Sequence, residues 1–434
     1  MRELRDLRRR LRELGERQTP GALATIVAVE GSSYRREGAR MLLEPDGRMT
    51  GVLSGGCIES DLLGTAKTVL ADGVARVVHF DLMADAEAIW GFGLGCAGRI
   101  TLVVEPLGGE TGAGEVLEAT LAASMDRRHE ARLASRISAI DSTTDDQVKV
   151  ERWLGEIDRP AECATKVPRE GKQTVGRKAA TDTSGAARRP ELPVLWSFFS
   201  NAAPNATEPA NGAMTASSKP DPHVLAQLTA LPCESAVVVA RANGGGGSLR
   251  WLLESILPPV QLLLIGVGRD AVPVARLAAE MGWEVTLVDP RPTGEAAARY
   301  AGLGRYVGEP PRRLADVVTL DGRTAAVVGT HRYLDDLAFL GELATSAVGY
   351  LAVLGPRQRK ERLLGDLARQ GHGPRDGALA TLRGPAGFAL GGRSPEEVAL
   401  AIVAEVQAVM SGRRAEALSE LASRPSTHGT VEVP

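Results

Sequence analysis

The sequence predicts an α/β protein: a mixed α/β N-terminal domain followed by a doubly wound parallel-sheet domain. Three observations carry this. From Gln261 the chain reads strand, glycine loop, helix and strand, and the second strand ends in an acid. The same rhythm continues in "AAVVGTHRY" (325–333) and "YLAVLGPRQRKERLL" (350–364). Upstream, short strand candidates lie among tight turns with few helices between them.

The chain has 434 residues, enough for two or three domains. Its net charge of −3 gives no reason to expect a nucleic-acid partner. Four cysteines without a C-x-x-C pair argue for a reducing compartment, so a cytoplasmic protein is expected. No apolar run reaches the roughly 18 residues a membrane span needs, so no membrane association is expected.

The first segment, "MRELRDLRRRLRELGERQ", places Leu4, Leu7, Leu11 and Leu14 on one face and reads as a docked surface helix. Residues 22–30 read as a buried strand, and "ARMLLEPDGRMTGVL" as a hairpin around Pro45-Asp46-Gly47. Next comes "GVLSGGCIESDLLGTAKTVLADG" (51–73). Ile58, Leu62, Ala66, Val69 and Leu70 recur at helical spacing, with Gly73 as the C-terminal cap. Cys57 then falls at or beside a helix N-terminus, after the Gly55-Gly56 loop. Such a position attracts anions and favours thiolate. The alternative is a small buried cysteine in a tight turn. "ARVVHF" and "RITLVVE" read as strands on either side of "GFGLGCAG" (91–98), which holds Gly95 and Cys96 and is too glycine-rich for a regular element.

Residues 113–136 read as helical. From about Asp141 the composition turns polar, so 1–140 is expected as the first domain and 141–235 as a low-complexity insert. Two strand-like runs within 236–258 return to the first domain. Cys163 and Cys233 lie in or beside the insert and are assigned no role.

The second domain is expected over 259–412, with a loose tail at 413–434. Gly266 and Gly268 follow its first strand, Ala271 stands where a third small residue belongs, and Asp289 ends the next strand. The first glycine permits a tight turn, the second lets a phosphate approach the helix, and the acid suits a ribose hydroxyl. This is the pattern of a Rossmann-like fold, and a nucleotide at the loop is one expectation from it. His331 falls at the C-terminal end of a later strand, the edge where such sheets hold ligands. A structural histidine fits that position equally. Gly355, Arg357, Arg359 and Lys360 follow the next strand, where cations suit a phosphate or carboxylate. Ser394, Pro395 and Glu397 form a capping box, and Val398, Ala401 and Ile402 are expected to pack the helix onto the sheet.

Taken together, the motifs resemble the XdhC/CoxI family, accessory proteins of xanthine dehydrogenase and related molybdenum hydroxylases. They are "GSSYRREGARMLL" (31–43), "SGGCIES" (54–60), "GLGCAGRI" (93–100), "GVGRDAVPVARLA" (266–278), "VDPRP" (288–292), "THRYLDDLAFL" (330–340), "LGPRQRKERLL" (354–364) and "RSPEEVALAI" (393–402). The resemblance implies a molybdenum-cofactor chaperone with no turnover of its own. Such a protein binds molybdopterin cofactor and protects it. It holds the cofactor while a cysteine desulfurase supplies the sulfido ligand, then passes it to a xanthine dehydrogenase-type apoenzyme. Homodimerisation is a further expectation. The implied cofactor-binding residues are Gly55, Gly56, Cys57, Glu59, Gly95 and Cys96 in the first domain. In the second they are Gly266, Gly268, Asp289, His331 and Arg357. Cys57 and Cys96 are the implied ligands of metal or transferable sulfur. The competing expectation is an NAD(P)-dependent oxidoreductase or a nucleotide-sensing regulator working through the second domain. Against the oxidoreductase, no acid/base partner stands out beyond His331.

Overall fold

The computed structural model describes residues 1–56, 58–81, 98–107, 113–141, 144–160, 195–197, 237–242, 249–291, 298, 300–373, 377–417, 419 and 429–433. Among these, two sheets organise the α/β fold.

The first sheet is formed by β1 (Gly21–Gly31), β2 (Arg40–Leu43), β3 (Met49–Gly51), β4 (Ala75–Asp81), β5 (Gly98–Leu107), β6 (His129–Asp141), β7 (Thr144–Pro160), β8 (Leu195–Ser197), β9 (Val237–Ala242), β10 (Leu249–Ile256) and a late strand, Gly429–Val433. Its order runs from the late strand through β9-β10-β6-β7-β4-β5-β1-β2-β3, with β8 added to β7. β1 is a near-continuous apolar run because helices cover both of its faces. On one side, α1 (Arg2–Arg17) and α3 (Ala113–Met125) bury Leu7, Leu11, Leu14, Leu117 and Leu121 against Leu23, Leu42 and Leu133. On the other, α2 (Glu59–Asp72) packs Leu62, Ala66 and Val69 on Ala24, Ile26 and Leu102. Gly73 closes α2 in the left-handed conformation, its N–H donating to the Val69 carbonyl.

Charges are buried between strands that are not neighbours in the sheet order. Arg40 on β2 forks onto Glu254 on β10, and Arg152 on β7 pairs with Glu105 on β5. The sheet therefore curls until β2 and β10 meet. Such dry pairs persist only when each charge has its partner.

Three segments differ from the sequence expectation. The helix expected over 113–136 ends at Met125, because Arg128 adopts a left-handed φ of 55° and turns the chain into β6. The span from Asp141, expected as polar insert, contributes β7. The region expected as a loose tail supplies the strand parallel to β9.

The second sheet is wholly parallel: β11 (Gln261–Ile265), β12 (Glu284–Val288), β13 (Arg305–Val307), β14 (Thr324–Val328) and β15 (Tyr350–Val353) in the order β13-β12-β11-β14-β15. Reversal of strand order between β11 and β14 opens a crevice at their C-terminal ends. α4 (Ala271–Glu280) and α7 (Pro395–Met410) share one apolar layer with the sheet. α5 (Tyr333–Leu343) and α6 (Arg357–Arg369) form the layer on the other face. Ala401 and Ile402 pack inward as expected, but Val398 is 38% exposed, at the crevice.

The two sheets are joined at the opposite, N-terminal edge of the parallel one. Arg128 forks onto Asp321 at 2.8 and 3.0 Å, reaches Glu284 at 2.8 Å and donates to the Pro259 carbonyl. Arg5 of α1 adds contacts to Glu284 and the Trp283 carbonyl. Replacing Arg128 by Met strands the buried Asp321 carboxylate. The expected result is a loss of about 3–5 kcal/mol, read as an earlier urea transition. Adding Asp321→Leu to that variant should recover much of the loss.

Candidate functional site

Two places bring the motif residues together. The first is one edge of the large sheet. Gly31 pairs with Gly98, Asp81 with Arg99, and Met41 with Gly51. The loops that follow β1, β3 and β4 therefore all leave from the same edge. Glu3 of α1 links two of them, accepting from the Arg35 guanidinium at 2.8 Å and the Val52 N–H at 3.3 Å. Gly98 is needed for the close approach, since a Cβ there would stand 2.5 Å from the carbonyls of Glu30 and Ser32. Cys57, Gly95 and Cys96 lie outside the described residues, as do Cys163 and Cys233.

The loop around Gly55 and Gly56 is shaped by Glu59. Its carboxylate accepts from the Ser54 hydroxyl at 2.6 Å and from the N–H groups of Ser54 and Ile58. The Ser54 hydroxyl in turn accepts from the Gly56 N–H at 3.0 Å. Burial alone would raise the Glu59 carboxyl, but these hydrogen bonds outweigh it and hold it below the usual range. Glu59 thus positions the loop, and three N–H groups that an anion would seek are already engaged. Gly56 has φ of 111°, which favours glycine. Among the described residues, a Cβ on Gly55 or Gly56 would meet nothing within 4 Å.

The second place is a cleft of about 330 Å³ at the C-terminal edge of the parallel sheet. Gly266 sits where the β11 loop crosses the β14 loop, and a Cβ on it would stand 2.3 Å from the Gly329 carbonyl oxygen. Thr330 is anchored by Asp336, a fully buried acid of α5 that accepts from the Thr330 N–H and hydroxyl. Its other oxygen takes the Arg359 guanidinium from α6. His331 follows with φ of 61°, a sparsely populated conformation for a residue with a side chain. Its Nε2 lies 3.2 Å from Asp270 at the start of α4. Leu354, Val398 and Ile402 supply the apolar wall, and Arg393 stands beside them.

The structure places the remaining sequence candidates as follows. Gly268 lies beside two lining residues, a Cβ on it standing 3.2 Å from His331 Nε2 and closer still to Asp270, and its carbonyl accepts from the Tyr300 hydroxyl. Asp289 is 2% exposed and holds the Arg291 guanidinium and the N–H groups of Arg291 and Val267. Burial would raise it, but the Arg291 fork and the backbone bonds outweigh burial and keep it low. Arg357 is not at the cleft: its side chain is 80% exposed and faces Glu361, one turn along α6. Arg359, two residues on, points inward instead. Sequence reasoning missed Asp270, Asp336 and Arg393. Signals existed for two of them: Asp336 lies one turn inside a helix beside a strand end, and Asp270 directly precedes α4.

The comparisons with known proteins fall on both places. Residues 14–81 match the model of the XdhC and CoxI family, and residues 262–406 match the XdhC Rossmann domain. Both stretches of the chain are thus similar to XdhC and CoxI proteins. It is 25% identical over 393 residues to a Bacillus subtilis (strain 168) protein named as a probable xanthine dehydrogenase subunit, covering 90% of this chain and 93% of that protein. An 85-residue stretch is 32% identical to the molybdenum cofactor insertion chaperone PaoD of Escherichia coli (strain K12), covering 20% of this chain and 26% of that one. A crystal structure described as a xanthine dehydrogenase from Bacillus halodurans superposes with a TM-score of 0.62 at 21% identity, over 97% of this chain and 99% of that one, and shares the fold.

The Glu59 bonds give a pH test. A carboxyl held low in the folded state stabilises fully above its ordinary value of 4.5, and that stabilisation is lost as pH falls through the folded value. Glu59→Gln should therefore lower the melting temperature at neutral pH. The gap from the parent protein should close as pH drops below that range, measured by differential scanning calorimetry.

Proposed function

We propose that this protein is a maturation factor for a molybdenum hydroxylase. It binds molybdenum cofactor, presents it to a cysteine desulfurase, and delivers it to a xanthine dehydrogenase-type apoenzyme. The observation that carries the reading is the near full-length similarity to a protein named for xanthine dehydrogenase, joined to the local similarity to a cofactor insertion chaperone.

The residues present fit such a group in a divided way. An anionic, phosphate-bearing ligand with a flat ring suits the cleft, where Arg359 and Arg393 offer cations beside Leu354, Val398 and Ile402. The loop at Gly55 and Gly56 suits a different part of the ligand. Its amides are engaged and its acid is ionised, so it repels phosphate, but no described residue crowds Gly55 or Gly56. Cys57 and Cys96 supply the soft donors that molybdenum or a sulfur atom prefers. When bound, the cofactor supplies redox chemistry that is used by the client enzyme. This chain's own part is to hold and shield it.

Purified from cells making molybdenum cofactor, the protein should carry about one molybdenum per chain by inductively coupled plasma mass spectrometry. Cys57→Ser should lower that content while leaving the melting temperature within a few degrees. Metal-free protein that turns over NADH rapidly with a small carbonyl substrate would refute the reading.

A further inference from the structure

The inside of the curled sheet is layered. Six strands each bring one polar side chain to it: Thr25 on β1, Arg40 on β2, Glu105 on β5, Ser135 on β6, Arg152 on β7 and Glu254 on β10. On β1 the alternate residues run Val27, Thr25, Leu23, and on β6 they run Ile137, Ser135, Leu133. In each run the first residue belongs to one apolar cluster and the last to another. β5, β7 and β10 repeat the order around Glu105, Arg152 and Glu254. A spacing of two keeps the side chains of a strand on one face, so the six form a polar belt between two apolar layers. Their side chains are at most 4% exposed.

The charges within the belt are balanced. Arg40 forks onto Glu254, and Arg152 onto Glu105, through their terminal nitrogens. Burial works to lower the Arg152 guanidinium, but Glu105 and then Glu254 outweigh it and raise it, so both acids act on that one cation. Four polar atoms are left over. The Nε atoms of Arg40 and Arg152 and the hydroxyls of Thr25 and Ser135 meet no hydrogen-bond partner among the described residues. They fall in two pairs. Thr25 stands directly opposite Arg40 in the β1–β2 ladder, and Ser135 directly opposite Arg152 in the β6–β7 ladder. Side chains so placed have Cβ atoms about 5 Å apart. Each leftover hydroxyl thus has a leftover N–H beside it on the neighbouring strand, and a buried polar atom without a partner is costly.

We propose that the belt is hydrated, with one internal water molecule between Thr25 and Arg40 and a second between Ser135 and Arg152. Each water accepts from the guanidinium Nε–H and donates to the hydroxyl oxygen. Water suits these places better than an anion does. Glu105 and Glu254 already neutralise the two cations, and a further buried negative charge would go unpaired. Hydration of the belt is independent of the maturation role and of the cleft.

Magnetic relaxation dispersion of water oxygen, measured on the full-length protein, counts waters held inside for longer than the protein takes to tumble. Thr25→Val and Ser135→Ala should each remove about one such water, and the double variant about two. Thr25→Ser, which keeps the hydroxyl, should retain the parent's count. Urea unfolding supplies a sign. Thr25→Val should lower the midpoint if its hydroxyl bonds a water, whereas loss of a hydroxyl without a partner would raise it. An unchanged water count in both single variants, or a raised midpoint for Thr25→Val, would overturn the proposal. A parent midpoint that rises with chloride but not with gluconate at equal ionic strength would also overturn it, by placing an anion in the belt.

Discussion

One buried guanidinium sets the arrangement on which the rest depends. Arg128 lies at the turn between α3 and β6, in a left-handed conformation, and gathers groups beside the starts of three parallel strands. Pro259 precedes β11, Glu284 opens β12 and Asp321 precedes β14. A buried charge tolerates little displacement, because each partner it loses leaves part of its desolvation uncompensated. The two sheets are thereby fastened at the N-terminal edge of the parallel one. Its C-terminal edge, where the strand order reverses, is left to the cleft.

The cleft obeys the same rule of paired charge. Asp336 is fully buried and divides its two oxygens between Thr330 and Arg359. This fixes the backbone on which His331 is held at positive φ, and it aims Arg359 inward. In the first domain Glu59 performs a comparable task on a smaller scale, committing its carboxylate to the loop that precedes it. Glu59 and Asp289, candidates for ligand binding in the sequence, thus spend their carboxylates on neighbouring groups of the chain, as Asp336 does.

Much of the second domain was legible because each parallel strand is a short apolar run followed by a turn, as burial on both faces requires. The first domain hid more. β7 reads as polar by composition since Gln147, Lys149 and Glu151 alternate with Val148, Val150 and Arg152, a period of two that an average over the segment erases. β6 misled in the opposite direction: Leu133 and Ile137 stand four apart, as on a helix, yet the strand is buried along most of its length between β7 and β10. His331 and the glycines were visible as positions. The partners that define the cleft's charge were not, because Asp270 and Arg393 are 123 residues apart and only the fold brings them together.

The pairing of Arg40 with Glu254 has a consequence for how the chain is made. The two are separated by 214 residues, so the partner of the first charge has not been synthesised when the early strands emerge from the ribosome. At roughly 20 residues per second that interval is about ten seconds. The parallel sheet lies wholly downstream of it and within one continuous stretch. Birth order therefore leaves the curled sheet as an open half-structure with uncompensated arginine for about half of translation. It can close only as the parallel sheet begins to appear.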